Sequence, residues 1–210
     1  MLKILIADDH AIVREGLKRI LTGAFDKIKI GEAADAPEAL EKVRTGEWDL
    51  VLLDISMPGR GGLDALKEIK AEYPKLSVLV VSMHPEDQYA TRILKAGASG
   101  YLTKESSPDQ LIKAIEKVAQ GGKYVSPSLA EKLAFDLERG MEGTPHEALS
   151  DREYQVLCMI ASGKTVKEIS EKLSLSVKTI SAYRARILGK MNMKNNAELT
   201  HYAIQKRLVE

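Results

Sequence analysis

Apolar residues in the first 120 positions follow two rhythms by turns. Short, nearly continuous apolar runs at 2–7, 50–53 and 78–81, with weaker ones at 28–33 and 100–102, have the length and composition of buried strands. Between them, at 12–21, 36–44, 63–72, 88–96 and 108–120, apolar residues recur every three or four positions, as one helix face requires. Strand then helix, repeated along the chain, predicts a parallel doubly wound sheet with helices on both faces. Ser107, Pro108 and Gln110 supply the N-cap, the first-turn proline and the capping-box residue of the helix at 108–120.

The alternation stops near residue 121. A helical stretch at 128–139 is followed by GMEGTPHEA, whose glycines and breakers suit a linker, with His146 facing solvent. From Ser150 the period is helical throughout, and Ser150 with Glu153, Thr165 with Glu168 and Asn195 with Glu198 have capping-box spacing. Only Ser174 and Leu175 separate a helix at 166–173 from one starting at Ser176, the spacing of a helix-turn-helix. The division this predicts is an α/β unit at 1–121, a linker with one helical segment at 122–147, and an all-α unit at 148–210.

In an open parallel sheet, ligands bind beyond the carboxyl ends of the strands. Asp8 and Asp9 follow the run at 2–7, Asp54 follows 50–53, Ser82 follows 78–81 and Lys104 follows 100–102. Each alone has a plainer reading: the two acids as helix caps, Ser82 as a strand-end serine, Lys104 as a surface lysine. Together they make a site. Three carboxylates cannot sit close together ionised without a cation, and an oxygen-rich set suits magnesium, which keeps several waters. A carboxylate nucleophile, a divalent metal and a lysine are the parts that form and stabilise an aspartyl phosphate. His10 reads as a loop residue at the mouth, because imidazole prefers softer metals than this oxygen set implies.

Charge separates the two halves. Of 31 Lys+Arg and 30 Asp+Glu, residues 150–210 hold 11 and 6, a net of +5, and the remainder holds 20 and 24, a net of −4. A basic helical unit suits a polyanion partner, although a solvated basic face is the commoner explanation of such a charge. Cys158 is the only cysteine, which excludes an intrachain disulfide and a cysteine metal cluster and fits a core position. No apolar run reaches the roughly 20 residues of a membrane span, and MLKILIADDH is too short and too soon acidic for a signal peptide. The expectation is a cytoplasmic protein without membrane contact.

Turning the helix after Ser176 by 100° per residue sorts its faces. Val177, Tyr183, Ile187 and Met191 fall beside Ile180 as a buried stripe. Lys178, Ala182, Ala185 and Gly189 lie opposite, flanked by Thr179 and Arg186 on one side and Ser181 on the other. Small side chains let a helix axis approach base edges, and the surrounding Lys and Arg can take phosphates. Lys178, Thr179, Ser181, Ala182, Ala185, Arg186 and Lys190 are therefore the candidate contacts to double-stranded DNA. Arg184 points toward the core and is expected in a partly buried ion pair, with Glu153 as the candidate partner.

Four motifs, DDH at 8–10, LLDISMPGRGG at 52–62, VVSMH at 80–84 and KAGASGYLTK at 95–104, make residues 1–120 resemble the receiver domain of two-component response regulators, with sheet order 2-1-3-4-5. LSDREYQVLCMIASGKTVKEISEKLSLSVKTISAYRARILGKM and NMKNNAELTHYAI resemble the four-helix DNA-binding domain of the LuxR and NarL class, with Val166 departing from the asparagine often found there. The whole chain thus resembles the NarL/FixJ family of response regulators, and ELTHYAI resembles its GacA/UvrY branch. That resemblance implies a phosphorylation-dependent transcriptional regulator whose Asp54 accepts a phosphoryl group from a sensor histidine kinase. It implies magnesium held by Asp8, Asp9, Asp54 and the carbonyl of Ser56; Ser82, Tyr101 and Lys104 as phosphoryl-binding and switch residues; and Ser56 and His84 as residues that set the rate of dephosphorylation. Met57, Pro58 and Gly59 would shape the loop beside the nucleophile. The last helix, with Glu198, Leu199 and Tyr202, would form the contact of a homodimer assembled on phosphorylation, although its apolar residues could equally pack inside their own unit.

Two other classes share parts of this pattern. A phosphatase with an aspartate nucleophile needs a second acid two residues after it, and Ser56 holds that place. A phosphorylation-independent DNA-binding or scaffold protein would have no use for an acidic pocket.

Overall fold

The computed structural model describes residues 1–57, 61–138, 144–206 and 208–209, with the side chains of 87, 88, 132 and 135–138 left aside. Strands β1 (Leu2–Ala7), β2 (Ile28–Ala33), β3 (Leu50–Leu53), β4 (Ser77–Ser82) and β5 (Gly100–Thr103) form one parallel sheet in the order β2-β1-β3-β4-β5. Helices α1 (Ala11–Ala24), α2 (Ala36–Thr45), α3 (Gly62–Glu72), α4 (Glu86–Lys95) and α5 (Pro108–Ala119) connect and follow them.

Alternation along each strand divides the core in two. Ile4, Ile6, Leu50, Leu52, Leu79, Val81 and Leu102 meet Leu17 and Leu21 of α1 and Leu111, Ala114, Ile115 and Val118 of α5. Leu5, Val51, Leu53, Val78, Val80 and Tyr101 alternate with them and are buried too. Burial on both sides explains why these strands read as unbroken apolar runs. Register then fixes the site: Ala7 lies opposite Leu53, Leu53 opposite Val80 and Ser82 opposite Thr103, so β1 and β3 end together and β4 and β5 end together two residues further on.

The fifth helix begins as its sequence requires, with Ser107 and Gln110 closing a capping box. At α1 no side chain caps the first turn, so Asp8 and Asp9 are not its caps. Beyond α5 the chain remains attached to the sheet edge: Tyr124 N–H donates to Ser99 O (2.8 Å), and Tyr124 bridges to Gly100 in parallel. Gly100 is required there, since a Cβ would sit 2.7 Å from Tyr124 O. Helix α6 (Pro127–Glu138) follows; Arg139, placed at its end by periodicity, lies outside the described residues.

Two compact units divide the chain, Met1–Glu131 and Lys132–Glu210. The second holds α7 (Asp151–Ala161), α8 (Val166–Leu173), α9 (Val177–Met191) and α10 (Asn196–Gln205). A short 3-10 helix at Pro145–Ala148 occupies what the sequence reads as linker, and residues 139–143 of that stretch lie outside the described residues. Nor does His146 simply face solvent: its Nδ1 lies 2.8 Å from the Tyr202 hydroxyl, and its ring lies beside Tyr154 and Tyr202. The capping boxes Ser150/Glu153 and Thr165/Glu168 are closed. At α10 Asn195 caps the Glu198 amide, but the Glu198 carboxylate takes Lys194 N–H (2.8 Å) in place of the N-cap amide.

Candidate functional site

The carboxyl ends of β1, β3, β4 and β5 bring Asp8, Asp54, Ser82 and Lys104 to one edge of the sheet. Asp8 is 2 % and Asp54 1 % exposed, and one ammonium answers both: Lys104 Nζ lies 2.6 Å from Asp8 Oδ2 and 2.7 Å from Asp54 Oδ2. Burial, the largest single influence on Lys104, favours loss of its proton, but its bonds to Asp54 and Asp8 outweigh that and hold it above the usual lysine value. The remaining carboxylate oxygens are aimed by main chain. Asp54 Oδ1 accepts from Ser56 N–H (2.8 Å), Asp8 Oδ1 accepts from His10 N–H (2.8 Å), and Arg14 Nη1 holds the Asp8 carbonyl (2.7 Å).

Asp9 is less enclosed, yet its Oδ1 is buried and makes no hydrogen bond among the described residues; Ser56 Oγ is in the same position. His10 Nδ1 lies 3.1 Å from Asp9 Oδ1 and 3.2 Å from Asp8 Oδ1. Asp8, Asp9, His10 and Asp54 can each bring one ligand atom within 4.8 Å of the others. Three carboxylates that can each bring an oxygen to one point are the donor set that a hard divalent cation completes. His10, read from the sequence as a loop residue at the mouth, lies there with its side chain 61 % exposed and its ring beside both acids.

Ser82 is fully buried and its Oγ accepts from His84 N–H (3.2 Å). Tyr101 is fully buried as well, with its hydroxyl donating to the carbonyl of His84 (2.8 Å), and the His84 ring stacks on Tyr89 at 4.5 Å. One loop, from Ser82 to Glu86, therefore receives the serine hydroxyl, the tyrosine hydroxyl and the stacked imidazole. Pro58 and Gly59 of the adjoining loop lie outside the described residues.

In the second unit, α9 buries Ile180, Ile187 and Met191, with α7 and α8 packed against it. Val177 departs from the expected stripe, since it is 51 % exposed. Ser174, in the left-handed region at φ 53°, makes the turn from α8 to α9 in two residues. Lys178, Ser181, Ala182, Ala185 and Arg186 are exposed and Thr179 is half-buried, with Arg186 over the Tyr183 ring at 4.9 Å.

Three expectations in this unit are corrected. Arg184 does not pair with Glu153; its Nε donates to Asn196 Oδ1 (2.6 Å). Glu153 instead takes Lys190, Nζ to Oε2 at 2.6 Å, so the Lys190 charge is paired, while its side chain stays 41 % exposed on α9. Leu199 is fully buried and cannot sit in a contact between copies; Tyr202 is half-buried against His146, whereas Glu198 is exposed.

Known proteins match along the whole chain. The response regulator receiver domain matches residues 4–116, and the luxR family of bacterial regulatory proteins matches residues 147–203. Response regulator UvrY of Escherichia coli strain K12 is 38 % identical over 206 residues, covering 98 % of this chain and 94 % of UvrY. Response regulator GacA of Pseudomonas protegens is 38 % identical over 210 residues, covering 100 % and 99 %. Among solved structures, RcsB from Salmonella enterica serovar Typhimurium, bound to promoter rprA in the presence of phosphomimetic BeF3-, aligns with a TM-score of 0.65 at 29 % identity, covering 96 % of this chain and 98 % of that one. Receiver residues at the strand ends, a helix-turn-helix unit later in the chain and relatives matched end to end place this chain in the response-regulator family, in the class with a luxR-type DNA-binding domain.

Proposed function

We propose that the chain is a phosphorylation-dependent transcriptional regulator in which Asp54 accepts a phosphoryl group from a sensor histidine kinase and residues 1–121 thereby control DNA binding by residues 148–210. The observation that carries this reading is the shared ammonium: Lys104 sits within 2.7 Å of both Asp54 and Asp8, a fixed cation where an anionic group would form.

One Asp54 oxygen attacks phosphorus, the P–N bond of the donor phosphohistidine breaks, and the imidazole leaves with the electron pair. The Ser56 amide and Lys104 hold the attacking carboxylate in place before the donor arrives. Once the phosphoryl group is attached, Lys104 pairs with its oxygens and the Ser82 hydroxyl donates to one of them. Asp8, Asp9 and Asp54, with the Ser56 carbonyl, would hold a magnesium ion, which supplies charge neutralisation for the transferring group. Ser56 and His84 flank the path by which water reaches the acyl phosphate.

On the output side, the exposed face of α9 is assigned to the major groove: Ala182 and Ala185 at its centre allow close approach, Thr179 and Ser181 reach base edges or phosphates, and Lys178 and Arg186 take phosphates. Phosphorylation favours a homodimer, in which Glu198 on α10 is an available contact.

Acetyl phosphate with magnesium, applied to the wild type and to Asp54→Asn, tests the proposal. The wild type is expected to gain a phosphoryl group, to shift toward dimer and to bind duplex promoter DNA more tightly. A variant that responds as the wild type does would sink it.

A further inference from the structure

The Ser82–Glu86 loop ends at a contact that the phosphoryl pocket does not need. Glu86, the first residue of α4, accepts a hydrogen bond from Ser126 Oγ. The same hydroxyl oxygen accepts from Leu129 N–H (3.1 Å), and Ser126 O accepts from Ala130 N–H (3.0 Å), which makes Ser126 the cap of α6. One hydroxyl therefore binds the first turn of α6 to the first residue of α4.

Just before it the chain is anchored on something rigid. Tyr124 is bonded to the β5 edge through Ser99 O, and Lys123 Nζ donates to Ala98 O (2.6 Å). Between the Tyr124 anchor on the sheet and the Ser126 bond to α4 lies a single residue, Val125. Any displacement of Glu86 relative to β5 must be absorbed across that one residue or by breaking the Ser126 bond.

Glu86 is also the far end of the loop whose near end is Ser82. His84 N–H bonds the Ser82 hydroxyl and the His84 carbonyl bonds the Tyr101 hydroxyl, so the loop's position depends on both. We infer that the Glu86–Ser126 hydrogen bond is the joint through which occupancy of the Asp54 pocket resets the start of α6. This rests on the phosphorylation reading above. A new partner for Ser82 Oγ weakens its bond to His84, the loop shifts, Glu86 moves with it, and the α6 cap loses or regains its second bond.

Hydrogen exchange on the full chain, with and without beryllofluoride and magnesium, tests the joint. In the wild type, the amides of Leu129 and Ala130 are expected to change exchange rate by about tenfold on addition of beryllofluoride, the scale of one local hydrogen bond. Glu86→Ala leaves the Ser126 cap in place and is expected to abolish that response, with acetyl phosphate still labelling Asp54 at the wild-type rate. Ser126→Thr, which keeps both cap and donor, is expected to respond as the wild type. Wild-type exchange at these amides that ignores beryllofluoride, or a Glu86→Ala response equal to the wild type's, overturns the joint while leaving the phosphorylation reading standing. Failure of acetyl phosphate to label Asp54 overturns both.

Discussion

Lys190 on α9 reaches back across the second unit to Glu153 on α7, Nζ to Oε2 at 2.6 Å, and the carboxylate it meets is 2 % exposed. Glu153 also accepts Ser150 N–H (2.8 Å), so one acid closes a helix cap and pins α9 to α7. Lys190→Met leaves that buried carboxylate without its cation. The expected loss is about 1–2 kcal/mol, below the range for a fully buried pair because the lysine head is partly in water. Urea unfolding checks it, and a variant as stable as the wild type but defective in DNA binding would return Lys190 to the DNA face.

The same pair sets an acid limit. Burial, the largest influence on Glu153, favours its neutral form, but Lys190 and the Ser150 amide and hydroxyl outweigh it and hold the carboxyl below the ordinary value of 4.5. A group whose folded value is lowered binds fewer protons in the native state, so its stabilisation is present above 4.5 and is lost as pH falls below it. Glu153→Gln is expected to flatten this part of the stability profile between about pH 5 and pH 3. A profile as steep as the wild type's counts against the assignment.

At the phosphoryl pocket, Lys104→Met removes the ammonium shared by Asp8 and Asp54. In buffer free of divalent ions, the melting temperature of the first unit is expected to fall, by a loss on the order of 3 kcal/mol for two buried carboxylates left together. Magnesium is expected to restore more stability in this variant than in the wild type, because it then replaces a missing charge. Equal magnesium shifts in the two proteins would show that the ion does not enter this carboxylate group.

His146→Ala breaks the bond to the Tyr202 hydroxyl and is expected to cost about 1 kcal/mol, with faster exchange at the Leu149 amide. Burial holds the Tyr202 phenol above its usual value, so the tyrosine stays neutral across the whole range of this measurement. Unchanged exchange would show that the Tyr202 bond does not hold the 3-10 helix in place.

For the α9 face, Lys178→Ala is expected to weaken binding to all duplexes alike and to lower the slope of log affinity against log salt by about 1. Ala182→Glu, at the centre of the same face, is expected to abolish binding with no change in the melting temperature. Titrations of labelled duplex at several salt concentrations decide both.

Much of this was legible because the signals are local. Strands buried on both faces write themselves as apolar runs, and the residues that end them follow directly. The Ser107, Ser150 and Thr165 caps lie three residues from their partners. Lys190 with Glu153 and His146 with Tyr202 are joined by tertiary packing across long stretches of chain, and no periodicity points from one to the other. The helical wheel set Arg184 toward the core, but it is half-buried and its Nε bonds the exposed Asn196, since Glu153 is already taken. Val177 is likewise exposed where the wheel buries it, and a wheel takes no account of what packs against each turn.

The order in which the strands lie in the chain has a consequence for how the protein is made. Lys104 comes from the last strand of the sheet, yet it is the charge that lets Asp8 and Asp54 lie buried together. A nascent or partly unfolded chain that has assembled β1 and β3 without β5 holds two carboxylates in mutual repulsion and has no cation to receive a phosphoryl group. Completion of this long-range topology is slow relative to local helix formation. If Asp54 is the phosphoryl acceptor, as proposed, only chains whose sheet is finished can take the group, and an incoming signal is withheld from immature copies by the fold itself.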